Sequence, residues 1–204
     1  CEVEKMIREK RKTRESIVSV RIDEGDRREF EIDTGLQFLN HMIETIAWRA
    51  CMNVDVKVEM TNFKLEHVIA EDAGIVLGKC LNKMLKRKMK KGVKGSGYAV
   101  SVIDEAMAVA AVSMEGRTNS FVDLRGKKAF VRNVEDMKGC DLQNFIEGMA
   151  QGMQATIQVK VLAGYDPHHI WEAVFRALGE GLRDCYSDTP WRKDTIAGVK
   201  GILK

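Results

Sequence analysis

The sequence predicts an α+β protein made by internal duplication, with two similar halves that each hold a small mixed sheet and two helices on one face. Three observations carry that expectation. Strand-like and helix-like segments follow one order twice. "DVKV" at 55–58 recurs as "QVKV" at 158–161, and "LQ" begins the first helix of each half. A His-x-x-x-Glu spacing also opens the second helix of each half, as His67 and Glu71 and again as His168 and Glu172. The glycine-bearing stretch "KGVKGSG" at 91–97 marks the seam. The expected division is 1–93 and 94–204, packed as one unit.

In order along the chain, "SIVSVRI" (16–22) and "REFEID" (28–33) alternate like the arms of a hairpin around "DEGD". "GLQFLNHMIETIAW" has helical spacing, and "NVDVKVEM" reads as a strand. In "EHVIAEDAGIVLGKCLNKMLKRKMKK", Ile69, Ala73, Val76, Cys80, Leu81 and Met84 form one apolar stripe, the mark of an amphipathic helix. The second half repeats the order with strands near "GYAVSVID", "AVAAVSME" and "SFVDLR", a helix "DLQNFIEGMAQGM", a strand "TIQVKVLAG" and a helix opened by His168.

Composition excludes several classes. The 204 residues can bury an ample core, and 33 basic against 30 acidic side chains leave a net charge of only +3. No global field therefore points to nucleic acid or a membrane surface. The seven basic residues of "KMLKRKMKKGVK" have no interleaved aromatic and suit the C-terminal end of a helix macrodipole. "KGVKGSG" precedes a strand, whereas a phosphate-binding glycine loop follows one. The 11 methionines read as core filler. Five cysteines without paired spacing suit a reducing compartment, and no apolar run approaches the roughly 20 residues that span a bilayer. The expectation is a cytoplasmic protein with no signal peptide.

The chain has 4 histidines, His41, His67, His168 and His169. Residues four apart share a helix face, so His168 and Glu172 can converge on one ion while His169 points about 100° away. Imidazole with carboxylate is a borderline ligand set suited to Mn, Fe or Zn. Without an ion, Glu71 and Glu172 could instead sit near helix starts because their charge favours the dipole.

These residues carry a family resemblance. "RKTRES" resembles the R-x-T-x-E-T opening of imidazoleglycerol-phosphate dehydratases, and "TGLQFLNHMIE" resembles T-G-x-x-F-F-D-H-M-L. "EHVIAEDAGIVLG" is similar to H-H-x-x-E-D-x-x-I-x-L-G, "DEAM" to D-E-A-L and "EGR" to S-G-R. "GYDPHHIWEAVFRALGEGL" is similar to G-x-N-x-H-H-x-x-E-A-x-F-K-A, and "GVKGIL" to S-T-K-G-x-L. The segments occur in order over nearly the whole chain.

The resemblance implies a hydro-lyase that removes water from imidazole glycerol phosphate in histidine biosynthesis. It implies a homo-oligomer of 24 subunits with two manganese ions at subunit contacts. One ion would be held by His41, His168 and Glu172, the other by His67, Glu71 and His169. Each set lacks one family histidine, because Val68 and Gln158 stand at those positions. The family positions for substrate are retained as Glu15, Arg117 and Lys200. They differ at Arg49, Gly95 and Gly198-Val199. Glu15 would take or relay the proton, with Glu71 and Glu172 the other carboxylates of the catalytic centre. Arg117, Lys200 and Arg49 would bind substrate. Two function classes follow: a metal-dependent dehydratase, or a relative that keeps the fold and assembly with lost or changed catalysis.

Overall fold

The computed structural model describes residues 6–124, 126, 133–199 and 201. The first sheet is built from β1 (Ile7–Lys12), β2 (Ser16–Asp23), β3 (Ile32–Asp33) and β4 (Asn53–Met60), in the order β1-β2-β4-β3. The second uses β5 (Ser96–Ile103), β6 (Ala106–Ser113), β7 (Asn119–Asp123) and β10 (Thr156–Ala163), in the order β5-β6-β10-β7. A short hairpin, β8 (Asn133–Val134) with β9 (Met137–Lys138), lies in sequence between β7 and β10. The two sheets share one topology. Each has antiparallel pairs and one parallel pair, β3 with β4 and β7 with β10. Parallel neighbours need a crossover, and a helix supplies it in each half. These are α1 (Gln37–Ala50) and α3 (Gly139–Met153). The internal duplication is therefore present in the strand order itself.

α2 (Glu66–Met89) and α4 (Pro167–Cys185) follow β4 and β10. Each helix touches its own sheet, while α2 packs on α3 and α1 on α4, across the two halves. The helices thus form the interior and the sheets lie outside them. The stripe expected on α2 is buried in full, from Ile69 to Met84. Trp171, Phe145 and Phe175 are the largest fully buried side chains, and the Phe145 and Phe175 rings stack with centroids 5.8 Å apart.

The α2–α3 contact is made backbone to backbone. Gly74 and Gly78 on α2 face Gly148 and Gly152 on α3. A Cβ added at Gly78 would lie 2.8 Å from Met153 N and 2.9 Å from Gly152 Cα. A Cβ at Gly152 would lie 2.8 Å from Lys79 N. Only glycine lets the two helices come this close.

Two expectations need correction. The segment 28–33 is not the hairpin partner of β2, whose neighbours are β1 and β4. Only Ile32 and Asp33 form strand, parallel to β4. The reason is polar: the Arg28 guanidinium forks onto both oxygens of buried Asp55 at 2.7 Å, and the Arg28 backbone N–H donates to Asn53 Oδ1 at 3.1 Å. Those bonds hold the segment against β4 instead of against β2. The second correction is β1, an unexpected strand. "IREKRK" buries only Ile7, so no apolar alternation announces it, yet all six residues pair with β2. Arg11 forms an ion pair with buried Asp72 of α2, and Ser16 Oγ donates to the same carboxylate. These contacts fix the turn that carries Glu15.

Candidate metal centre

Asp166 caps the N-terminus of α4, accepting from the His168 N–H at 2.8 Å and the His169 N–H at 3.4 Å, with Pro167 next in the first turn. Aspartate at the cap and proline at the first helical position start a helix at a defined residue. That start puts His168 and Glu172 on one face. His41 comes from the other half of the molecule, on α1, which packs against α4.

These three converge. His41 Nε2 lies 3.5 Å and His168 Nε2 3.4 Å from Glu172 Oε2, and one ligand atom from each residue falls within 4.8 Å of the others. The second oxygen of Glu172 is occupied separately, by Arg176 Nη2 at 2.7 Å and Nε at 3.0 Å. Burial pushes the Glu172 carboxyl up, but the Arg176 guanidinium, with His41, outweighs it and holds the group below the ordinary carboxylate range. Glu172 is thus a buried anion with one free edge turned to two imidazoles. The Phe38 ring, 4.9 Å from that of His168, supplies an apolar wall.

His169 faces elsewhere. Its Nδ1 lies 2.8 Å from Glu105 Oε2, and its Nε2 lies 3.4 Å from Asp104 Oδ2. The Glu105 hydrogen bond raises the His169 pKa against the effect of burial. Glu105 itself is held down to about 2, first by the Asp166 N–H and then, against burial, by His169 and the Tyr165 N–H. His67 and Glu71 are exposed on the first turns of α2. Among the described residues they form no such cluster with His169 within one chain.

The remaining candidates are spread over the surface. Glu15 is exposed in the β1–β2 turn and Arg117 in the turn after β6. Among the described residues neither is bonded to the trio. Arg49 Nη1 is 2.9 Å from Glu180 Oε1, bridging α1 and α4. Lys200 lies outside the described residues. Val68 is buried, whereas Gln158 is exposed in a row across the outer face of the second sheet with Tyr98, Ala111 and Phe121. Gly95 has φ 74° and Ala197 beside it, and Gly198 lies against Glu115.

Sequence reasoning missed Arg176, Glu105 and Glu135, whose Oε1 is 3.0 Å from His168 Nδ1. The first was legible as an i, i+4 carboxylate–guanidinium pair on α4. Glu105 lies in the quoted "DEAM" but had no partner to suggest its place. Glu135 had no sequence signal.

The sequence profile described as Imidazoleglycerol-phosphate dehydratase matches residues 34–182. An imidazoleglycerol-phosphate dehydratase of Koribacter versatilis is 34% identical over 194 residues, covering 95% of this chain and 96% of that protein. One of Caldivirga maquilingensis is 37% identical over 195 residues, with 95% and 96% covered. The crystal structure of the enzyme from Pyrococcus furiosus in complex with (S)-C348 superposes with a TM-score of 0.78 at 27% identity, covering 95% of this chain and 99% of that one. The Staphylococcus aureus enzyme gives 0.77 at 23%, with 90% and 99% covered.

Proposed function

The chain belongs to the imidazoleglycerol-phosphate dehydratase family, and we propose that it removes water from imidazole glycerol phosphate, giving imidazole acetol phosphate in histidine biosynthesis. The observation that carries the reading is the convergence of His41, His168 and Glu172 from both halves of the molecule.

The trio fits a divalent ion. Two imidazole nitrogens and a carboxylate oxygen suit manganese, and Arg176 leaves the other Glu172 oxygen out of the set. His41, His168 and Glu172 would hold one ion. His67, Glu71 and His169 would hold a second, completed at a contact between subunits of a 24-subunit homo-oligomer. Metal held there would act as a Lewis acid toward the substrate imidazole, stabilising the ring as it takes on negative charge and so easing departure of the hydroxyl from the carbon beside it.

The other roles fall to side chains. Glu15 takes the proton from the second carbon from the ring and delivers it to the hydroxyl on the carbon beside the ring, which leaves as water. The enol left between the two carbons tautomerises to the acetol ketone. Arg117 and Lys200 hold the phosphate, Arg as a fork and Lys as a point charge. Arg49, with one nitrogen committed to Glu180, offers its remaining N–H groups to the substrate. The assay is product formation from imidazole glycerol phosphate with added Mn. Turnover by the wild type and none by Glu172→Ala is expected. Equal rates for the two proteins would remove Glu172 from the site.

A further inference from the structure

The β8–β9 hairpin places two neighbouring carboxylates on two different elements of the site. Val134 and Met137, on either side of its tip, are buried and anchor it. Asp136 accepts from the Gln37 N–H at 2.6 Å and the Phe38 N–H at 3.0 Å, capping α1 where Leu36, the residue at the cap position, has no side chain that can. α1 is the helix that carries His41. Glu135, the preceding residue, takes the Nδ1 edge of His168 at 3.0 Å. One turn of chain thus sets both histidines that face Glu172.

Glu135 holds that position in an unfavourable conformation. Its φ is 52°, in the left-handed region where a side chain is disfavoured and glycine is free. Strain kept at a site contact points to a function for the side chain. A carboxylate on Nδ1 keeps that nitrogen protonated and leaves Nε2, the nitrogen facing Glu172, with its lone pair. Phe38 packs beside the same ring, so one edge and one flank of the imidazole are fixed. We infer that Glu135 is a positioning residue of the metal centre, setting the tautomer and orientation of His168. The inference rests on the reading of His41, His168 and Glu172 as metal ligands.

The test is Mn titration of the full chain, with free ion read by electron paramagnetic resonance, alongside thermal unfolding in chelator. His168→Ala identifies the ion concerned by removing it. Glu135→Gly should weaken that same ion by about 10- to 100-fold. Its metal-free unfolding temperature should be no lower than the wild type's, because glycine accepts φ 52° without penalty. Glu135→Gln, which keeps an acceptor oxygen, should recover part of the affinity. A purely structural glutamate would give the opposite pairing, intact affinity or affinity lost together with metal-free stability. Either result overturns the inference. If His168→Ala abolishes the ion while Glu135→Gly binds it as the wild type does, this inference alone fails. If His168→Ala changes nothing, the ligand reading fails and takes the inference with it.

Discussion

Replacing Gly78 by alanine tests the crossing that joins the two halves. The new Cβ would meet backbone alone: Met149 O, Met153 N at 2.8 Å and Gly152 Cα at 2.9 Å. No side chain can rotate away, so α2 and α3 must part by roughly 1 Å to restore ordinary contact, forfeiting a quarter to a half of the local dispersion energy. Overpacking of this kind costs about 3 kcal/mol at its upper end. The helix interior returns about 1 kcal/mol, since alanine is the better helix former. The net loss is about 2 kcal/mol, a fall of about 4–8 °C in Tm for a chain of this size. Gly181→Ala is the matched control. It is also inside a helix, but its Cβ would find nothing nearer than Ala110 O at 3.6 Å, so the propensity gain stands unopposed and stability should rise by up to about 1 kcal/mol. The assay is thermal and urea unfolding at one fixed protein concentration, because assembly shifts apparent stability. Equal behaviour of the two variants, or a Gly78→Ala protein as stable as the wild type, would refute the reasoning.

Two further outcomes follow from other parts of the molecule. Burial alone would raise the Asp55 pKa, but the Arg28 fork, the Glu31 N–H and Arg21 bring it below the ordinary range. A lowered folded pKa gives stability that is complete above the unfolded value, about 3.9, and is lost as pH falls through the folded one. Asp55→Asn should therefore cost on the order of 3 kcal/mol near pH 6. The gap from the wild type should narrow below about pH 4, as read by urea unfolding at each pH. Restoring imidazoles with Val68→His and Gln158→His should tighten Mn binding at least 10-fold, measured by calorimetry. Unchanged affinity would show that these positions do not border the ions.

Much of this was legible in the letters where one rule acts alone. The α2 stripe needs only the helical period, and β4 runs over the full "NVDVKVEM" because its Val side chains meet the core. The Asp166–Pro167 pair announces where α4 begins, and with it the shared face of His168 and Glu172. What was hidden depends on partners distant in sequence. β1 is a charged edge strand, recognisable only beside β2. β3 looked like half of a hairpin until the Arg28–Asp55 fork drew it to β4. G-x-x-x-G appears in both α2 and α3, but its meaning requires that those two helices meet. For the trio, repeated spacing exposed His168 and Glu172, whereas the approach of His41 depends on α1 packing against α4. Glu135 reaches His168 from 33 residues away across a turn with no motif.

The most direct measurement is turnover of imidazole glycerol phosphate by protein stripped with chelator and then titrated with Mn, with bound metal counted at each step. The account predicts no rate in the stripped protein and a rate that rises with occupancy. His168→Ala should fold but neither hold the ion beside Glu172 nor recover activity. A stripped protein that turns over at the full wild-type rate would contradict the account, as would a folded, metal-loaded wild type with no activity on this substrate.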